Sequence, residues 1–462
     1  GCVQHGYEEK AVSLFERMQM EGTQPNVVTV TSALKACGHL DIGRKIHAYI
    51  VGHGLESDKI VGSSLIHMYD KCKSIKDVSI MFERLQNKEV VTWNSLIASY
   101  IEHEQEHYAL ELFQQMQMRG IERNTITFIN ALKACINLGD LEQGMHIHSS
   151  MIEVGLESDV YAGSSLINMY AKCGCLKDAQ ATFGTLPKQN VVTWSAIISG
   201  FCQCGQGEEA FQYYKQMKQE GIKPNEYTIV SMLKACSSLS AMREGIQIHM
   251  NFIECGFYLD TYVGNALIDM YAKCGSLQNA YRIFNQLANR DVVTWSSLIA
   301  GYAQHEEGQA AIQHYIAMQS DGIEPNIVTL ITLLKACSSI AALGQGRLCH
   351  SHIINNGFNL DVYVGSALID MYTKCGCLEE ACIVFHMLPK RDTVVWSAMI
   401  NGYAQHSDYE SALWYFDAMQ QAGIEPDAVT FLNILSACGN ALLVHEGCSH
   451  LKSMIETTRN TK

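Results

Sequence analysis

Several groups of residues carry types and spacings that could do chemistry. His103-Glu104-Gln105-Glu106-His107 matches H-E-x-x-H, in which two histidines on one helical face hold zinc and a glutamate acts as base. His305-Glu306-Glu307 echoes the H-x-E of zinc-dependent cytidine deaminases. Cys173/Cys175, Cys202/Cys204 and Cys375/Cys377 place pairs of soft ligands close together. His47, His148, His249 and His350 recur at a constant interval, as metal ligands or as packing residues would.

Position argues against each of these as a reactive site. The segments corresponding to the H-E-x-x-H stretch, CQCGQ, QHEEG and QHSDY, lie in turns between two helical runs, so the two histidines straddle a break instead of sharing a helix. A deaminase also needs P-C-x-x-C, and none of the six prolines (Pro25, Pro187, Pro224, Pro325, Pro389, Pro426) is followed by cysteine. The cysteine pairs are C-x-C, not the C-x-x-C of a zinc finger or ribbon. The periodic cysteines read as small buried packing residues of a reducing compartment. The histidine series follows a Gly-rich turn inside an apolar run and reads as a packing or interhelix histidine. No catalytic residue, metal site or cofactor is expected.

The elements that position all these residues come from an internal repeat. Trp93, Trp194, Trp295 and Trp396 are each 101 residues apart, within VVTWNSLI, VVTWSAII, VVTWSSLI and TVVWSAMI. The same step links Cys72, Cys173, Cys274 and Cys375; it links Cys135, Cys236, Cys337 and Cys438, and the four histidines above. Each unit divides into pieces of 35, 35 and 31 residues, as in 90–124, 125–159 and 160–190. The series continues as 191–225, 226–260, 261–291, 292–326, 327–361, 362–392, 393–427 and 428–462. It is preceded by 27–58, 59–89 and a partial 1–26.

Within 191–225, VVTWSAIISGF has apolar residues at helical spacing, CQCGQG interrupts it, and a second run places Ala210, Phe211, Tyr214 and Met217 on one face. GIKPN then ends that run. The pattern predicts a helix, a tight turn and a second helix, each helix of about 12–15 residues and too short to be firm alone. Stacking must supply the core, so the expected fold is all-α: an α-solenoid superhelix of about 14 helix-turn-helix repeats forming one array over 1–462.

Composition bounds the function. The chain has 462 residues, 48% hydrophobic, which excludes a disordered tail. Its 33 Lys+Arg against 47 Asp+Glu give −14, unlike a protein held to nucleic acid by a basic surface. The longest uncharged stretch, Gln189–Gly207, is interrupted by Gln, Asn, Thr, Ser and Gly, so no membrane span is expected.

Repeats of these lengths, with VVTW-SLI, LKAC…G-x-x-IH and LI-MYAKCG, resemble the pentatricopeptide repeat proteins, and more narrowly the plant P-L-S subclass with its triplets of repeats. The resemblance covers the whole chain. It implies a sequence-specific binder of single-stranded organellar RNA, one base per repeat, in a mitochondrion or chloroplast. The fifth and last residues of a repeat select the base, and the second packs against it. Residues two and five lie three apart on one helix and share a face.

In the VVTW repeats the resemblance assigns Asn94 with Asn124, Ser195 with Asn225, Ser296 with Asn326 and Ser397 with Asp427, beside Val91, Val192, Val293 and Val394. In the 31-residue repeats it assigns Ser164 with Asn190, Asn265 with Asp291 and Ser366 with Asp392; Ser63 pairs with Glu89, which departs from the family pattern and is left undecoded. The family's rules read Ser with Asn as adenine, Ser with Asp as guanine, Asn with Asp as uracil and Asn with Asn as a pyrimidine. From Val90 onward this gives 5′-Y-n-A-A-n-U-A-n-G-G-n-3′. The n positions have aliphatic fifth residues, Ile129, Val230, Ile331 and Leu432, which cannot select a base edge by hydrogen bonding. Asn or Asp beside a helix also serves simply as a stop or cap. The charge of −14 predicts an RNA binder that relies on stacking and depends weakly on salt.

Gly1 aligns with Gly200, so the first helix of the leading repeat is expected to be largely missing and that end to fray. The shortened 27–58 repeat lacks three residues around Leu40–Gly43, placing its turn in question. The closing repeat has LSAC for LKAC and ends ETTRNTK, resembling the last repeat of editing factors before their C-terminal extension. The expected role is the specificity part of an organellar C-to-U RNA editing factor, itself not an enzyme. A deaminase-bearing protein or editing accessory factor would act in cis or in trans. An RNA stabilisation or splicing factor is the alternative, and a protein-binding scaffold a third.

Overall fold

The computed structural model describes residues 8–56, 58–85, 88–358 and 361–440. The expectations for the two chain ends, at Gly1 and in ETTRNTK, lie outside the described residues. Twenty-six α-helices occupy the described residues. The chain divides into two compact units, 1–228 and 229–462, each a solenoid of helix pairs.

Helix starts follow from local chemistry. First helices of the pairs begin at Val27, Lys59, Val90, Thr125, Val160, Val191, Glu226, Thr261, Val292, Ile327, Val362, Thr393 and Ala428. The residue before nearly every one is Asn or Asp, whose Oδ1 accepts a backbone N–H two or three residues on. Examples are Asn124 to Thr127, Asp159 to Ala162 and Asn326 to Thr329. Glu89 is the exception, with no side-chain cap on the Val90–Glu102 helix. Helix ends are as local: Gly174 has φ +78, with its N–H on Ala171 O and the Cys175 N–H on Tyr170 O, a left-handed turn that closes the helix.

Two expectations are corrected. The second helices of the 31-residue pieces have 10 residues, as in Leu176–Thr185 and Leu277–Gln286, against 13 in Gly207–Gln219. The shorter helix therefore absorbs most of the missing length, while the Val160–Lys172 first helix keeps its full 13 residues. In 27–58 the deletion does not fall at Leu40–Gly43, which sits inside the helix Leu40–Gly52. The preceding helix Val27–Ala36 is cut to 10 residues, and the turn survives at 37–39.

Stacking supplies the core that isolated helices lack. Trp93, Trp194, Trp295 and Trp396 are buried, each edge-on to a phenylalanine from the second helix of the preceding pair: Phe82, Phe183, Phe284 and Phe385, at 4.8, 4.7, 4.6 and 4.8 Å between ring centres. First helices lie against first helices of adjacent pairs. At one such crossing a Cβ on Gly301 would stand 2.5 Å from Ala272 Cβ.

Candidate nucleic-acid interface

The closing Asn or Asp of a repeat is also the cap of the next first helix. Asn225 Oδ1 accepts the Thr228 N–H at 2.8 Å, and Asp427 Oδ1 accepts that of Thr430 at 2.8 Å. Capping commits Oδ1 to the helix and leaves Nδ2 of an asparagine, a donor, or Oδ2 of an aspartate, an acceptor, outside the cap. The closing residues Asn124, Asp291, Asp392 and Asp427 are exposed, and Asn190, Asn225 and Asn326 half-buried.

The structure brings some of the expected pairs together. Asn94 Nδ2 donates to Asn124 Oδ1 at 3.0 Å and Asn265 Nδ2 to Asp291 Oδ1 at 3.4 Å, and Ser195 Oγ lies 3.2 Å from Asn225 Oδ1. Ser296 and Ser397 reach Asn326 and Asp427 through the hydroxyls of Thr329 and Thr430. Ser195 and Ser296 also meet their own helix, at Val191 O (2.5 Å) and Val292 O (2.6 Å); Ser164 and Ser366 do so at Tyr161 O (2.8 Å) and Tyr363 O (2.9 Å) but are not hydrogen-bonded to Asn190 or Asp392. Asn94, Ser195, Ser296 and Ser397 are buried, so the closing residue is the more accessible member of each of these pairs.

The second residues form the outer surface beside the pairs. Val91, Val192, Val293 and Val394 are 66, 39, 48 and 54% exposed, unusual for valines in a helical protein. In the 31-residue repeats the same place holds Tyr161, Tyr262 and Tyr363, at 63, 49 and 72%. Sequence reasoning did not single these out, although VYAG, TYVG and VYVG showed them at position two. An exposed ring stacks on a base better than an isopropyl group does.

Charge at the site is mixed. Burial alone would raise the Asp291 carboxyl, but hydrogen bonds from the Thr294 backbone and hydroxyl and from Asn265 outweigh it and hold the group below the usual carboxylate range. It is therefore an acceptor near neutral pH. The exposed lysines Lys133, Lys234 and Lys335 lie four residues after the fifth residue, and Lys172, Lys273 and Lys374 eight after, on the same side of the first helices. Lys273 pairs with Asp269 at 2.9 Å and Lys374 with Asp370 at 3.0 Å, which mutes them. The lysine series is visible in LKAC, AKCG and TKCG, though the net charge conceals it.

The other sequence motifs take structural places. His103 closes the helix Val90–Glu102 and His107 lies in the first turn of Glu106–Met118, with Glu104 between them at φ +57. His305 Nε2 lies 2.7 Å from Ala272 O, an interhelix contact. Burial pushes the Cys135, Cys202 and Cys337 thiols up to about 12, well away from a reactive thiolate. No group of three or more His, Cys, Asp or Glu able to hold a metal occurs among the described residues, and no helix among them is long and apolar enough to cross a membrane.

Comparison with known proteins agrees with this architecture. A model described as the PPR repeat family matches residues 88–137, 189–238, 290–339 and 391–440, and a PPR repeat model matches 1–23, 164–191, 265–292 and 366–392. A pentatricopeptide repeat-containing protein of Arabidopsis thaliana is 36% identical over 94% of this chain and 62% of its own length. Two more from that plant, one named chloroplastic and one mitochondrial, are 32% and 35% identical over 95% and 97% of this chain and 55% and 44% of theirs. The chain thus spans about three-fifths or less of these curated relatives. Among solved structures, the pentatricopeptide repeat protein PPR10 in complex with an 18-nt psaJ RNA element shares the fold, with a TM-score of 0.75 and 17% identity over 99% of this chain and 73% of that one.

Proposed function

Because the chain belongs to the pentatricopeptide repeat family, we propose that it binds single-stranded RNA one base per repeat, at sites of the form 5′-Y-n-A-A-n-U-A-n-G-G-n-3′. The observation that carries this reading is the anchored closing residue. With Asn225 Oδ1 committed to the helix cap, the outward amide donates, as adenine N1 requires; with Asp427 Oδ1 committed likewise, the outward oxygen accepts, as guanine and uracil imino groups require. Asn94 fits a pyrimidine reader: its Oδ1 has no hydrogen bond within the chain, and a turn of the side chain would bring it to the surface to accept from a base. Exposed second residues supply stacking of about 1–3 kcal/mol per base. The test is the affinity of the protein for the decoded RNA and for RNAs with one base exchanged. Affinity should fall at each Y, A, U or G position and stay level at each n; equal affinities throughout would end the assignment.

We further infer that the array is the specificity part of a C-to-U editing factor in a mitochondrion or chloroplast, working with a deaminase in cis or in trans. The support is the wording of the 428–462 segment and the organellar names of the relatives. Plants lacking the protein should lose editing at a cytidine just 3′ of a decoded site. Intact editing with loss of a transcript end or an intron product would favour stabilisation or splicing instead.

A further inference from the structure

A third side chain stands between the two coding residues wherever a VVTW-type repeat meets the next repeat. Thr228 is fully buried; its Oγ1 donates to Asn225 Oδ1 at 2.8 Å and lies 2.7 Å from Ser195 Oγ. Thr329 makes the same bridge, 2.9 Å to Asn326 Oδ1 and 2.6 Å to Ser296 Oγ, as does Thr430, 2.7 Å to Asp427 and 2.5 Å to Ser397. Thr127 Oγ1 donates to Asn124 Oδ1 at 3.0 Å, while Asn94 reaches that oxygen directly.

Neither packing nor capping calls for that hydroxyl. At four equivalent places the hydroxyl is replaced by Ala162, Val263, Val364 and Val395, all buried, and the caps Asp159, Asp260, Asp361 and Asp392 still accept their N–H groups at 2.8, 2.9, 3.0 and 3.0 Å. Three of these follow repeats whose fifth residue is aliphatic: Ile129, Val230 and Ile331. The fourth follows Ser366, which bonds its own helix. A hydroxyl also follows Ser164, as Thr193, but its Oγ1 turns to Asn190 O at 3.0 Å; what the VVTW repeats share is the contact between the threonine and the closing side chain.

Proton counting shows what the hydroxyl does. Thr329 gives its one O–H to Asn326 Oδ1, and its backbone N–H goes to the same oxygen at 2.9 Å. Both lone pairs of the amide carbonyl are then taken, and turning the amide over would place Nδ2 against two donors. The Ser296 hydroxyl lies 2.6 Å from both Thr329 Oγ1 and Val292 O, and its one proton is shared between these two acceptors.

We propose that Thr127, Thr228, Thr329 and Thr430 are positioning residues that fix which atom of the closing Asn or Asp faces the base, so that base choice in these repeats depends on three residues. The inference rests on the RNA-binding reading above. Its test is Thr329→Val in the full chain, a substitution for which Val263 and Val395 are precedents at the equivalent place. Affinity is measured for the decoded RNA, for RNAs exchanged at the base read by 292–326, and for RNAs exchanged at the base read by 191–225. Preference for adenine at the first should fall roughly three- to tenfold, the scale of one lost buried hydrogen bond. Preference at the second should hold, and Thr329→Ser should keep both. Unchanged preference at the first base, or equal losses at both, would overturn the proposal; Thr228→Val, read with the two bases interchanged, repeats the test if Thr329→Val does not fold. A wild-type protein indifferent to both bases would instead refute the RNA code itself.

Discussion

His148 Nδ1 lies 2.8 Å from the Tyr170 hydroxyl, joining the second helix of one repeat to the first helix of the next. His47–Tyr69, His249–Tyr271 and His350–Tyr372 repeat the contact at 2.7, 2.8 and 2.8 Å. A histidine series with the regularity of a ligand set is thus a series of interhelix hydrogen bonds.

These histidines set a pH dependence. Burial lowers the pKa of each in the folded chain. The unfolded chain, with ordinary values near 6.5, then binds more protons, so their contribution is complete above about pH 6.5 and is lost as pH falls through the lowered folded values. Thermal midpoints should drop from about pH 7.5 to about pH 5.5, and a combined His148→Gln, His249→Gln, His350→Gln variant should show a shallower drop. An identical drop in the variant would assign it to other groups.

Gly301→Ala should destabilise by about 1–3 kcal/mol, the usual cost of overpacking. The added Cβ would meet Ala272 Cβ at 2.5 Å, where neither helix can yield without moving its neighbours. Denaturant midpoints report the loss, and adding Ala272→Gly should recover part of it.

Ala341 occupies the left-handed region at φ +50, at the place where Gly139, two 101-residue steps earlier, has φ +68. Ala341→Gly should stabilise by roughly 0.5–1 kcal/mol, since relief of the Cβ contact exceeds glycine's added unfolded-state entropy. A lower denaturant midpoint would show that the side chain contributes packing there.

Asp269→Asn with Asp370→Asn should release Lys273 and Lys374 from their ion pairs. If these lysines face phosphates, affinity for the decoded RNA rises and the slope of log K against log salt steepens by about 0.7 per added contact on a single strand. A constant slope would place the lysines off the RNA path.

Much of the fold was legible in the chain because its rules act within a turn or two. Asn and Asp caps, left-handed glycines and the apolar spacing of VVTWSAII each involve residues at most about four apart, and the 101-residue step repeated them often enough to mark helices, turns and the places of the fifth and closing residues. The contacts that depend on how one helix pair settles on the next were not legible. The Ser195–Thr228 bridge spans 33 residues, Ser195–Asn225 spans 30 and His148–Tyr170 spans 22. Nothing in the residue types distinguishes Ser195, which meets Thr228 and Asn225 as well as Val191 O of its own helix, from Ser164, turned onto Tyr161 O. That choice depends on which side chain the neighbouring helix brings into reach, and helix spacing is set by distant packing, such as Gly301 against Ala272 and Trp194 against Phe183.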